Sequence, residues 1–122
     1  MSRLRTLPQS FNYAFEGIKL AIKNEPNFRI HLTFGIAAVT LAWFVGFSIY
    51  EWLLLLFTIC FVLILELFNT TLEAIVNLVS PDIKPQAKIA KDVSAAAVLL
   101  AAFMSIIVGF VLFLPKIIVI LN

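Results

Sequence analysis
The sequence predicts an all-α integral membrane protein: three transmembrane helices preceded by an N-terminal amphipathic helix in the interface. Three observations carry this. Of 122 residues, 62% are hydrophobic and 13% charged, with mean hydropathy +1.06, whereas a soluble domain carries roughly 25% charge. A water-soluble globule this small cannot hide so much apolar surface, and the same composition excludes disorder. The long uncharged runs match a bilayer in length and show no alternation with period two, which excludes a transmembrane barrel. Helices remain, because backbone groups in lipid must be satisfied within a helix or a closed barrel. The length fits a single domain, 1–122.

The elements follow in order. Over 8–24, Phe11, Phe15, Ile18 and Ile22 recur at i, i+4, i+7, i+11, and Asn12, Glu16, Lys19 and Lys23 follow one position on. This is an amphipathic helix with Pro8 in its first turn, suited to a membrane interface. The first transmembrane helix is expected over 29–50, since His31 to Tyr50 carries no formal charge, about the 20 residues needed to cross a ~30 Å core. The second is expected over 52–80, where only Glu66 and Glu73 are charged, and the third over 86–121, uncharged from Val93 to Pro115. Pro81 and Pro85 break the chain within the Ser80–Asp92 loop. Arg3, Arg5, Lys19, Lys23 and Arg29 precede the first span, and Lys84, Lys88 and Lys91 lie between the second and third. The link around Glu51 has no basic residue, and Lys116 stands alone near the far end. The positive-inside rule puts the N-terminus and the Ser80–Asp92 loop in the cytoplasm. The polar N-terminus lacks the compact apolar stretch of a cleavable signal peptide.

Several functions are excluded. A net charge of +2 with pI about 8.9 is too small and too scattered for a nucleic-acid reader. The single cysteine, Cys60, excludes disulfides and structural zinc, and the single histidine, His31, excludes a His-rich metal site.

Glu66 and Glu73 are the informative positions, because a carboxylate in a spanning helix costs a few kcal/mol or more. From a start at Trp52, Glu66 lies roughly 21 Å and Glu73 roughly 32 Å along the helix. Glu66 is then within the hydrocarbon and Glu73 at the cytoplasmic interface. Glu66, Asn69, Glu73 and Asn77 fall at i, i+3, i+7, i+11 and share one face. A polar seam between helices would account for part of this; two carboxylates and two carboxamides exceed what a seam needs. Glu25, Lys91 and Asp92 are expected at the same depth. Taken singly, Glu25 is explained as a solvated charge, Asp92 by the helix dipole and Lys91 by snorkelling; their convergence on one plane is the stronger signal.

Oxygen ligands suit Mg²⁺, which is usually held by one or two carboxylates plus substrate phosphates. A lysine suits phosphate charge, and a carboxylate deeper in the apolar layer suits proton abstraction from a hydroxyl. Together these are the parts of phosphoryl transfer from a cytoplasmic nucleotide to a lipid alcohol. No Walker A sequence is present, and Gly17, Gly35, Gly46 and Gly109 are far apart. A small proton-coupled transporter using Glu66 is the alternative, opposed by the gathering of the other charges on one side. A structural assembly subunit is a third possibility, whose stripe would tolerate apolar replacement. Ala97, Ala101, Ser105 and Gly109 recur every four residues, spacing that lets helices approach closely. Three helices enclose little, so a homo-oligomer with sites between subunits is expected.

The segment Glu66-Leu-Phe-Asn69-Thr-Thr-Leu-Glu73-Ala-Ile-Val-Asn77, with Ala90-Lys91-Asp92 and Ala95-Ala-Ala-Val98, resembles the signature of prokaryotic diacylglycerol kinases. Phe11-Asn-Tyr-Ala-Phe-Glu-Gly17, Asn24-Glu25 and Phe28-Arg29-Ile-His31 extend the likeness over nearly the whole chain. The last of these, with Lys88-Ile-Ala-Lys91-Asp92, is more similar to the undecaprenol kinase branch. The resemblance implies a homotrimer in the bacterial inner membrane, with composite sites using Mg²⁺ and ATP to phosphorylate undecaprenol or diacylglycerol. It implies Glu66 as general base and Glu25 and Glu73 as metal ligands. Tyr13, Asn69, Lys91 and Asp92 would contact or orient the nucleotide, with Asn77, Asp82 and Lys84 in or near its pocket. Phe15, Gly17 and Lys19 would sit at the lipid-binding surface. The family usually has Asp where this chain has Asn77, which keeps acceptor capacity but loses a charge. Where some members carry Arg near the start of the amphipathic helix this chain has Thr6, with Arg5 beside it.

Overall fold
The computed structural model describes residues 5–122, so Arg3, counted above among the basic residues, lies outside the described residues. The described chain forms four helices: α1 (Leu7–Asn24), α2 (Pro26–Val45), α3 (Ile49–Val79) and α4 (Pro85–Leu121). The last three are long and apolar enough to cross a membrane, and no strand occurs among the described residues.

Each boundary has a local cause. At the start of α1, Thr6 N–H donates to Gln9 Oε1 at 3.1 Å, satisfying a backbone donor that the helix leaves open. The helix ends because Glu25 precedes Pro26 and adopts an extended conformation (φ −109°, ψ 102°), as residues before proline favour. Arg29 Nη1 then donates to the carbonyls of Ile22 and Lys23, 2.9 Å each. This satisfies the open C-terminal end of α1 and ties it to α2.

The first span begins and ends earlier than the sequence suggests. It starts at Pro26, not 29, because proline suits the first helical position. It stops at Val45, not 50, because Gly46 takes a left-handed conformation (φ 75°). Its N–H and that of Phe47 both donate to Ala42 O, at 3.1 and 3.3 Å. The next helix correspondingly begins at Ile49, not 52, because Ser48 caps it. Ser48 Oγ accepts from Glu51 N–H at 3.3 Å, and Glu51 Oε2 accepts from Ser48 N–H at 2.7 Å. Tyr50 therefore belongs to α3. The link from α3 to α4 is confined to 80–84, so Lys88, Lys91 and Asp92 stand on the first turns of α4.

Packing is antiparallel along the chain, with α4 lying mainly along α3 and α2 against both. The hydrophobic core sits at the Glu51 end: Ala42, Phe47, Leu55 and Leu112, with Trp52 and Phe113 against it. Phe47 packs on both aromatics, with ring centroids 5.9 Å from Trp52 and 4.8 Å from Phe113. Lys116, read from sequence as standing alone, pairs with Glu51 at 3.2 Å and donates to Gly46 O at 3.3 Å. It does so because α4 returns alongside the start of α3.

Length sets the layout of the other end. At 1.5 Å per residue the 20 residues of α2 cover about 30 Å, one hydrocarbon thickness. The 31 residues of α3 and 37 of α4 cover about 46 and 55 Å. Measured from Ile49, Glu66 lies about 26 Å and Glu73 about 36 Å down α3. The two long helices therefore outreach α2 where the polar stripe lies.

Candidate active site
The stripe on α3 begins in the interior of the fold. Glu66 is the most buried polar side chain, 2% exposed, and Asn69, one turn on, is 8% exposed. Asn69 Nδ2 donates to Glu73 Oε1 at 3.3 Å, so the two side chains face the same way, as their i, i+4 spacing requires. The carbonyl oxygen of that carboxamide, Asn69 Oδ1, is buried without a partner. An orphaned buried acceptor costs about 1–3 kcal/mol.

Three elements bring charge to Glu66. His31 from α2, Glu25 from the α1–α2 junction and Glu73 from the next turns of α3 all act on its carboxylate. Glu25 stands at the start of α2, which packs against α3. Carboxylates close to one another in a low-dielectric setting repel, and such arrangements cluster at binding and catalytic sites. Among the described residues no group of three or more His, Cys, Asp or Glu has metal-holding geometry. The donors present, carboxylates of Glu25 and Glu73 and the free carboxamide oxygen of Asn69, are hard oxygens of the kind Mg²⁺ takes. They fit that ion in a site completed by phosphate oxygens.

Further along the same face Asn77 Oδ1 accepts from Lys91 Nζ at 2.5 Å, joining α3 to α4. Other candidates are not drawn in. Asp92 is exposed and paired with Lys88 on its own helix, so of the two adjacent residues Lys91 and Asp92 only the first faces α3. Asp82 and Lys84 lie exposed in the link, where the Asp82 carbonyl accepts from Ser80 Oγ at 2.9 Å and Lys84 N–H at 3.0 Å. On α1, Tyr13 is half exposed beneath the Arg5 guanidinium, 4.8 Å from the ring centroid. Phe15 is 61% exposed, Lys19 is exposed, and open space surrounds Gly17. Thus Glu66, Asn69 and Glu73 share one face of α3 with Glu25 near enough to act on Glu66, Asn77 and Lys91 join α3 to α4 further along, and Tyr13, Phe15, Gly17, Lys19, Asp82, Lys84 and Asp92 stand apart within one chain.

Sequence reasoning used His31 only to exclude a metal site and to extend a resemblance. A signal for it existed: His31, Gly35, Ala38 and Ala42 fall at i, i+4, i+7, i+11. This is a small-residue packing face with an imidazole at the end nearest the stripe.

Comparison with known proteins gives a consistent result. The model of the family described as prokaryotic diacylglycerol kinase matches residues 12–113. A diacylglycerol kinase of Synechocystis sp. is 46% identical over 107 residues, 87% of this chain and 61% of the relative. This chain therefore spans about three fifths of that relative's length. An undecaprenol kinase of Bacillus subtilis is 38% identical over 108 residues, 88% of each chain. A diacylglycerol kinase of Haemophilus influenzae is 31% identical over 111 residues, covering 90% of this chain and 94% of its own.

Proposed function
Because this chain belongs to the prokaryotic diacylglycerol kinase family, we propose that it transfers the γ-phosphate of ATP to a membrane lipid alcohol. The observation that carries the reading is Glu66: a carboxylate 2% exposed, at the apolar end of a polar stripe. It is the base that a buried hydroxyl requires. The lipid hydroxyl gives its proton to Glu66 while its oxygen bonds to the γ-phosphorus. The bond to the bridging oxygen breaks, and ADP leaves with the electron pair. Glu25 and Glu73, with Asn69 Oδ1, would hold Mg²⁺, which when bound neutralises phosphate charge. Lys91 supplies a fixed positive charge to the phosphates, held in place by Asn77, and Asn69 orients the nucleotide. Positioning and charge neutralisation of this kind supply most of the catalysis in phosphoryl transfer.

The groups that stand apart in one chain have a place in an assembly. In a homotrimer, Tyr13 and Asp92 of one copy would complete the nucleotide site of another, with Asp82 and Lys84 at its margin. Phe15, Gly17 and Lys19 would border the lipid. Arg5, Lys19, Lys23, Arg29, Lys84, Lys88 and Lys91 lie at or beyond the Glu73 end of the spans. The positive-inside rule then favours a cytoplasmic position for that end, in the bacterial inner membrane. The transporter alternative rests on Glu66 alone and gains nothing from the family.

The test is phosphate transfer from ATP by purified protein in mixed micelles. Glu66→Gln lowers kcat by about 10²–10⁴, the usual contribution of a general base, and Glu73→Gln weakens the dependence on Mg²⁺. Unchanged transfer in either variant would refute its role. With undecaprenol and diacylglycerol at equal mole fraction, undecaprenol is the preferred acceptor, on the likeness at Phe28–His31 and the Bacillus subtilis relative.

A further inference from the structure
A single residue separates α1 from α2. Asn24 is the last of one helix and Pro26 the first of the next, so Glu25 alone turns the chain, at φ −109° and ψ 102°. Those two dihedrals set both the direction of α1 and the starting point of the Glu25 side chain. Pro26 narrows the range open to Glu25 without selecting one angle. The Glu25 N–H donates to Ala21 O at 2.9 Å, and the Glu25 carbonyl accepts from Arg29 N–H at 3.2 Å. Each helix therefore holds one side of the residue.

The Arg29 side chain ties the two helices to each other. Its Nη1 reaches back past Glu25 to the carbonyls of Ile22 and Lys23, and no other side chain bonds α1 to α2 among the described residues. The contact sets a cation at the negative end of the α1 dipole. Ala21 and Phe28, one on each side of the turn, are both 3% exposed. Apolar burial of that kind is non-directional, whereas two hydrogen bonds from one nitrogen fix an angle. A second observation concerns charge. Glu25 and Arg29 stand at i, i+4, the spacing at which opposite charges pair on a helix. Yet the ion pairs among the described residues are Lys88–Asp92 and Lys116–Glu51. The guanidinium is engaged by backbone, and the carboxylate that acts on Glu66 keeps its charge uncompensated by it.

We infer that Arg29 is a positioning residue for the metal-binding carboxylate of Glu25. By clamping α1 to α2 it holds Glu25 at one setting, and by bonding to carbonyls it stays off the carboxylate. This rests on the lipid-kinase reading above, in which Glu25 and Glu73 hold Mg²⁺. Arg29 touches neither nucleotide nor lipid in this role. A hinge residue left loose has to be ordered whenever an ion binds, and that ordering weakens binding. With the clamp in place the ordering is already done in the folded chain.

The experiment titrates Mn²⁺ into the full chain in phosphatidylcholine vesicles with a non-hydrolysable ATP analogue, reading bound ion by electron paramagnetic resonance. Arg29→Ala, Arg29→Lys, Glu25→Gln and the double variant Glu25→Gln with Arg29→Ala are compared with the unaltered protein, and phosphate transfer is measured alongside. Arg29 is exposed, so the variants keep their helix content by circular dichroism. Arg29→Ala weakens Mn²⁺ binding about fivefold, the weight of a cation at an exposed helix end. The Mg²⁺ concentration for half-maximal transfer rises by the same factor, while kcat at saturating Mg²⁺ and the KM for the lipid alcohol stay unchanged. Arg29→Lys, which keeps a charged donor, recovers most of the loss. In the Glu25→Gln background Arg29→Ala weakens binding no further, because nothing is left to position. The inference is overturned by additive losses in the double variant, by a loss that appears in the KM for the lipid, or by a fall in Tm with Mn²⁺ affinity intact, the mark of a purely structural tie. If the unaltered protein transfers no phosphate to any lipid alcohol, the kinase reading fails and this inference with it. If it does and Arg29→Ala binds Mn²⁺ as before, only the role of Arg29 falls.

Discussion

Asn77 holds Lys91 through a carboxamide oxygen, at a position where the family usually has a carboxylate. The contact is therefore one of charge with dipole. Asn77→Asp turns it into an ion pair between α3 and α4, and because Asn77 is exposed the gain is at most about 1 kcal/mol. The expected outcome is a small rise in Tm that added salt removes; a fall would mean that Lys91 is not free to pair. Asn77 and Glu66 were legible in the sequence because one helix face orders them by number alone. His31 was not, because its significance depends on Glu66, which lies on another helix. Periodicity along one chain segment says nothing of which face of α2 meets which face of α3. Asp92 shows the converse. Its neighbour in sequence faces the stripe, yet adjacent residues on a helix diverge by about 100°, and Asp92 turns to Lys88.

At the level of elements, the turn between α2 and α3 determines where both spans begin and end. Gly46 sits at φ 75°, a conformation that costs a residue with a Cβ roughly 1 kcal/mol or more. No atom crowds that position, so the backbone alone is tested. Gly46→Ala lowers stability by about 1 kcal/mol in denaturant unfolding of the detergent-solubilised protein, with phosphate transfer below Tm unchanged. A loss of transfer at full stability would contradict the separation of this turn from the active end. The number and kind of helices could be read from the uncharged runs and from Pro8 and Pro85. Their limits could not, because hydropathy does not register a cap. Tyr50 is apolar enough for either span, and only Ser48 with Glu51 assigns it to α3.

For the whole molecule, one copy covers little of itself. Within the most apolar window of each span only 17–22% of residues are buried, and Phe34, Trp43, Phe44, Phe57 and Leu99 are each at least 70% exposed. Lipid accommodates such surfaces, and in the trimer proposed above the polar groups left apart on α1 and in the 80–84 link would complete a neighbour's site. Cross-linking in vesicles should yield species up to a trimer. Dispersal into single copies by excess detergent should abolish phosphate transfer while leaving helix content intact by circular dichroism. Activity surviving in single copies would place the whole site within one chain. Assembly is the level least legible in sequence, since composition demands burial without naming the surface that supplies it. The unequal lengths of α2, α3 and α4 carry one more consequence. A greasy alcohol and a highly charged triphosphate dissolve in media that scarcely mix, and neither crosses readily into the other's. In the reaction proposed above, struts that rise out of the oil beside a shorter neighbour would let each reactant stay in its own phase, so that only the phosphoryl group has to change solvent.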